Sequence, residues 1–177
     1  EHPVVHIDFS KCQEDNKEEI KEWINDILFQ IAKEYKIKLN KKKSYSFNLD
    51  LLITELAKKE KVVVLIDEYD SLLNSNVNND NIEGIREVLR GFYSVIKADS
   101  TSIRFCFITG VTKFSKMSIF SSMNNLVDIS MSDEYSTMLG YTQEELEENF
   151  SEYIDKAVKE ENIKREEYLE KVKRWYD

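Results

Sequence analysis

The sequence predicts an α/β protein in which a parallel β-sheet is flanked by helices and followed by a small helical region. Three observations carry this expectation. Short apolar, β-branched runs recur at residues 4–9, 62–66 and 103–109. Each is separated from the next by a long stretch of helical periodicity, and strands joined through helices pair in parallel. From about residue 132 the strand signal ceases and only helical periodicity remains. The expected organisation is therefore an α/β core over 1–131 and a helical, lid-like region over 132–177.

The first strand, Val4-Val5-His6-Ile7-Asp8-Phe9, has the short β-branched composition of a buried strand. Asp15 or Asn16 can cap the helix behind it, where Ile20, Trp23, Ile24, Ile27, Leu28, Ile31 and Tyr35 share one face. A lysine-rich loop at Lys41-Lys42-Lys43 leads into a second helix carrying Leu51, Leu52, Glu55 and Leu56 and ending near Lys59. Val62-Val63-Val64-Leu65-Ile66 is the most uniform apolar run and is expected to be a central strand buried on both faces. A polar, Asn-rich loop over 70–80 gives way to an amphipathic helix with Ile82, Ile85, Leu89, Phe92 and Ile96 on one face. The third strand, closed by Gly110, precedes a fourth expected at Leu126-Val127-Asp128-Ile129. The alternation predicts helices on both faces of the sheet. In the tail, Thr142 and Glu145 have capping-box spacing. Leu146, Phe150, Tyr153, Ile154 and Val158 then mark one long helix, and Tyr168, Val172, Trp175 and Tyr176 another; Trp175-Tyr176 could pack the lid, the favoured reading, or bind a partner.

Composition narrows the function classes. Only 4 Gly and 1 Pro in 177 residues argue against disorder and against a turn-rich sandwich. A net charge of -9 gives no basic face for duplex DNA, so nucleic acid is not supported as a partner, although a local nucleotide site stays compatible. No apolar run approaches the length of a membrane span. Cys12 and Cys106 belong to no CxxC pair, which disfavours a zinc framework and fits a reducing, cytoplasmic setting. With no signal peptide, no initiator Met and a start directly before a strand, the chain is expected to be a piece of a longer one.

The chemistry concentrates at Asp67-Glu68. An apolar strand ending in Asp-Glu is a Walker B pattern, because a parallel strand delivers its C-terminal end to the ligand crevice of an open α/β sheet. The first carboxylate, Asp67, can hold Mg²⁺, and the second, Glu68, can orient or deprotonate an attacking water. A buried strand ending in an acidic turn is the plainer alternative. Thr109-Gly110 ends the next strand and would sit beside the acids, the position called sensor 1. Lys113 and Lys116 follow and could face phosphate, or be solvated loop lysines. Arg86, Arg90 or Arg104 could reach a neighbour's nucleotide, which would need self-association or a protein partner. A phosphate-binding loop requires G-x-x-x-x-G-K-[ST]. None of Gly84, Gly91, Gly110 and Gly140 is followed by Lys, so no such loop occurs in these residues.

The chain resembles the family of predicted AAA-ATPase-like proteins found mainly in bacteria, often fused to a C-terminal nuclease-like domain. The resemblance rests on Pro3-Val4-Val5-His6-Ile7-Asp8-Phe9-Ser10, Val64-Leu65-Ile66-Asp67-Glu68-Tyr69-Asp70 and Phe107-Ile108-Thr109-Gly110-Val111-Thr112-Lys113-Phe114-Ser115. It extends to Ile119-Phe120-Ser121-Ser122-Met123-Asn124-Asn125-Leu126-Val127-Asp128-Ile129, Leu139-Gly140-Tyr141-Thr142-Gln143-Glu144-Glu145-Leu146 and Trp175-Tyr176-Asp177. It implies a P-loop NTPase-like, AAA-type fold that binds ATP and Mg²⁺, with Asp67 and Glu68 as Walker B and Thr109 at sensor 1. The family's phosphate-binding loop would lie before Glu1 and its nuclease part beyond Asp177. The expected function is thus an ATP hydrolase inactive over these residues alone. The alternatives are a nucleotide-gated switch or interaction module, or a DNA-processing enzyme. The last finds no acidic–basic metal cluster, since Glu19 and Lys21 have nuclease-like spacing but fall on a helix.

Overall fold

The computed structural model describes residues 1–112, 125–138 and 140–176. It divides into two compact units, Glu1–Leu126 and Val127–Asp177.

The first unit is built on strands β1 (Val4–Asp8), β2 (Val62–Asp67) and β3 (Ile103–Ile108), paired in that order and all parallel. Val4 stands opposite Val63 and Asp8 opposite Asp67; Leu65 and Ile66 stand opposite Phe107 and Ile108. Between β1 and β2 lie α1 (Lys17–Glu34) and α2 (Tyr45–Ala57); between β2 and β3 lie the short α3 (Ser71–Ser75) and α4 (Ile82–Ala98). Of the two candidate caps for α1, Asn16 is used, its side chain accepting from the N–H of Glu18 and Glu19. The expected stripes of α1 and α4 form the core, with Ile20, Ile24 and Leu28 and with Ile85, Leu89 and Phe92 buried; on α2 the buried face is Leu49, Leu52, Ile53 and Leu56, while Leu51 and Glu55 of the expected set are only partly buried.

The expectation of burial on both faces of the sheet does not hold. Along β2, Val62, Val64 and Ile66 are buried while Val63, Leu65 and Asp67 are only partly so. On the same side as Val63 and Leu65, His6 is exposed and Phe105 is 53% exposed, stacked on Phe107. The reason is topological. Crossovers between parallel strands are right-handed, so two successive crossovers that step the same way, β1 to β2 to β3, lay their helices on one face. Covering the other face requires the strand order to reverse, which does not happen among the described residues.

The fourth strand does not form. Leu126-Val127-Asp128-Ile129 has no regular structure, Val127 is 82% exposed, and the Asp128 carboxylate accepts from Ser130 N–H in a local turn. In the second unit the capping box at Thr142 and Glu145 is present as read. The long helix behind it is interrupted at Phe150, giving α5 (Gln143–Asn149) and α6 (Ser151–Glu161). A left-handed Asn162 ends α6 and α7 (Arg165–Tyr176) follows. Arg165 pairs with Asp155 and Lys171 with Glu161 across α6 and α7. Trp175 is 84% exposed, against the expectation that it packs.

Candidate functional site

Parallel pairing brings the C-terminal ends of all three strands to one edge, and alternation decides what they present there. Asp8 and Asp67 stand opposite each other on the partly open face. Asp8 is already engaged: Ser10 donates to it from its N–H at 3.0 Å and its hydroxyl at 2.6 Å, and Lys11 lies 3.2 Å away. The Ser10 hydroxyl and the other donors hold its pKa below the ordinary aspartate value despite partial desolvation.

Asp67 receives a different partner. The Thr109 hydroxyl donates to Asp67 Oδ1, and the Glu68 N–H reaches back to Thr109 Oγ1 at 3.4 Å. The backbone repeats the linkage, with Thr109 N–H donating to the Ile66 carbonyl and Tyr69 N–H to the Thr109 carbonyl, each at 2.9 Å. The three residues named by sequence, Asp67, Glu68 and Thr109, are therefore brought together at one sheet edge. Asp67 and Glu68 are half-buried.

Glu68 stands in the left-handed region at φ 51°. For a residue with a Cβ that conformation costs about 1–2 kcal/mol. Strain of this kind persists where the surroundings fix it. Here Tyr69 N–H and Thr109 N–H pin both sides of Glu68, and Ser71 N–H takes its carbonyl at 2.9 Å. The result is a tight reversal directly after Asp67, carrying the second carboxylate on the reversal itself.

The fourth candidate, Lys113, lies outside the described residues, as does Lys116. Arg86 and Arg90 both pair with Glu83 within α4, while Arg104 is exposed on β3. Among the described residues no group of three His, Cys, Asp or Glu is placed to hold a metal ion. The donors at hand are hard oxygens, the Asp67 carboxylate and the Thr109 hydroxyl. That set suits Mg²⁺, which takes one or two carboxylates and completes its shell with water and phosphate. Sequence reasoning missed Tyr69 and Asp70, which bind the segment after β3. The available signal was the third acid of Asp67-Glu68-Tyr69-Asp70, three residues beyond the first.

A family model described as a predicted AAA-ATPase matches residues 1–120, which contain all three strands and the acidic edge. The chain belongs to the AAA-ATPase-like family. An uncharacterized protein in the vnfD 5′ region of Azotobacter chroococcum mcd 1 is 46% identical over 93 residues, a stretch that is 52% of this chain and 18% of that protein. The chain thus spans less than a fifth of the length of this relative. No solved structure matches the chain. The three-stranded parallel sheet is compatible with the P-loop-like architecture that the family implies. Among the described residues, no helix of this AAA-ATPase-like chain is long and apolar enough to cross a membrane.

Proposed function

We propose that this chain supplies the acidic half of an ATP site: Walker B at Asp67 and Glu68, and sensor 1 at Thr109. The observation that carries the reading is the Thr109 hydroxyl donating to Asp67 at the edge shared by neighbouring parallel strands. Asp67 would hold Mg²⁺ through the oxygen that Thr109 leaves free. The ion would offset charge developing on the phosphate oxygens. Glu68, one residue on and turned by its left-handed backbone, would orient the attacking water and take its proton. Thr109, as donor to Asp67 and acceptor from Glu68 N–H, keeps the two acids in fixed relation. Lys113, next after Thr112, would contact phosphate.

The phosphate-cradling amides and lysine have no counterpart among these 177 residues, since no glycine is followed by lysine. On this reading they come from elsewhere in the full-length protein, and residues 132–177 serve as a lid. Cys12 and Cys106, both free thiols, suit a reducing cytoplasm.

The decisive experiment compares two variants of the natural full-length protein. Glu68→Gln keeps the side-chain size and removes the base; ATP binding should persist while turnover falls roughly 10²-fold or more. Asp67→Asn should weaken Mg²⁺-dependent ATP binding as well, because a hard cation prefers a charged carboxylate. Calorimetry and phosphate release read the two effects separately. Parental turnover in Glu68→Gln removes the catalytic assignment. A parent that binds Mg-ATP without hydrolysing it makes the protein a nucleotide-gated switch.

A further inference from the structure

The turns after β2 and β3 are joined by more than the Asp67–Thr109 pair. Asp70, fully buried, accepts from the N–H of Val111 at 3.2 Å, the N–H of Thr112 at 2.5 Å and the Asn74 side-chain amide at 3.0 Å. Tyr69, 4% exposed, donates its hydroxyl to the Thr112 carbonyl, and its N–H holds the Thr109 carbonyl. The Thr112 hydroxyl reaches Asn74 Oδ1 at 3.3 Å.

Gly110 makes the approach feasible. A Cβ at this position would sit 2.4 Å from two carbons of the Tyr69 ring and 2.6 Å from Asp70 Oδ1. Contacts that short do not occur, so any side chain at 110 would push the two turns apart.

A buried carboxylate destabilises the fold unless donors surround it. Burial alone would raise the pKa of Asp70. The donors from Thr112, Asn74 and Val111 outweigh it and hold the carboxyl below the ordinary aspartate value. The charge is thus retained inside the protein, directed at the backbone of a short segment, and that segment begins with Thr109. A hydroxyl-to-carboxylate hydrogen bond tolerates only a few tenths of an ångström. The Thr109–Asp67 contact therefore depends on where the backbone of 109–112 is held.

We propose that Asp70, assisted by Tyr69, is a positioning residue: it fixes segment 109–112 so that the Thr109 hydroxyl stays on Asp67. This rests on the reading of Asp67, Glu68 and Thr109 as an ATP site, and it adds a residue that touches none of the reacting groups.

The test uses Asp70→Asn and Asp70→Ala in the natural full-length protein, with two readouts. Amide hydrogen exchange follows Val111 and Thr112, which Asp70 holds directly, and Glu68 and Tyr69, whose acceptors belong to Thr109. Exchange at all four should quicken by about ten-fold or more in Asp70→Ala, with the amides of β1 and α1 unchanged. Asp70→Asn, near-isosteric and retaining one acceptor oxygen, should fall between. In Mg-ATP turnover, kcat should drop by about ten-fold or more in Asp70→Ala while KM moves by less than about two-fold, because positioning and not binding is lost. Asp70→Asn should recover part of it. If Asp70→Ala fails to fold, Asp70→Asn alone decides by the same two measures.

Parental exchange at Val111 and Thr112, or parental kcat, overturns the proposal, as does a kcat loss that merely tracks the folded fraction. If the parent hydrolyses no ATP, the ATPase reading falls and the exchange rates decide the positioning role. If Glu68→Gln abolishes turnover while Asp70→Asn leaves it intact, the ATPase reading stands and the positioning role falls.

Discussion

The left-handed backbone at Glu68 gives a prediction that separates stability from function at one residue. With φ at 51°, Glu68 bears a penalty of about 1–2 kcal/mol that glycine would not. Glu68→Gly removes that penalty but adds about 0.5–1 kcal/mol of backbone freedom in the unfolded chain. The difference places Glu68→Gly between neutral and about 1.5 kcal/mol more stable than the parent. For a unit of this size each 1 kcal/mol raises Tm by about 3–6 °C. Glu68→Ala keeps the Cβ and the strain, so it should match the parent; Glu68→Val, β-branched, should lose stability by about 1 kcal/mol or more. Thermal and urea unfolding of the four proteins read this order directly. On the ATP-site reading, every one of these variants in the full-length protein should lose ATP turnover, whatever its place in the stability order. A Glu68→Gly protein destabilised by 1 kcal/mol or more would refute the reasoning. The carboxylate would then be holding the turn, and the strained conformation would be no evidence of a functional constraint.

Two further outcomes follow from buried polar groups. Asp99 caps the C-terminal end of α4, and burial first, then repulsion and hydrogen bonding from Asp50, lift its pKa to about 6. A carboxyl raised on folding supports the fold fully below about pH 4 and loses that support as pH rises through about 6. Asp99→Asn should therefore gain about 1 kcal/mol at pH 7–8, after solvent screening, and the gain should vanish near pH 4; thermal melts across that range test it. Asn48, fully buried in α2, accepts from Asn40 N–H at 3.2 Å and donates to Asn25 Oδ1 at 2.9 Å and the Asn40 carbonyl at 3.1 Å. Asn48→Leu leaves these groups unpaired and should lower the urea-unfolding free energy by about 2 kcal/mol.

The strands and main helices were legible because their signals are local. β-branched runs bounded by polar residues fix strand positions within a residue or so, and the stripes on α1 and α4 reappear as core. What failed depended on topology. The five apolar residues of β2 read as burial on two faces, but right-handed crossovers stepping one way put α1, α2 and α4 on one side, leaving Val63 and Leu65 half-covered. Leu126-Val127-Asp128-Ile129 has strand composition, yet it carries no regular structure, and the Asp128 carboxylate accepts from Ser130 N–H in a local turn. At the site, Asp67, Glu68 and Thr109 could be named because strand ends are readable. Asp70 could not: its part depends on Gly110 and Thr112 arriving from forty residues away, a juxtaposition that no local pattern encodes.

One-sided coverage also bears on the electrostatics of the site. Asp67 shares the partly open face with Val63 and Leu65, and Phe105 on that face is half-exposed. A carboxylate there is only half-buried, so a charge pair at contact distance is worth less than it would be in a protein interior. Thr109 and Asp70 can aim groups in this setting, but aim alone contributes little to a transition state until water is displaced. The apolar residues along β2 and β3 supply a surface on which such displacement is favourable, at roughly 25 cal/mol for each Å² covered. Geometry at the acidic edge is therefore set by hydrogen bonds within residues 67–112, whereas, on the proposed ATP-site reading, its catalytic strength would depend on what covers the face that Val63, Leu65 and Phe105 leave partly open. Substitutions at Asp70 and at Phe105 should act on these two quantities separately.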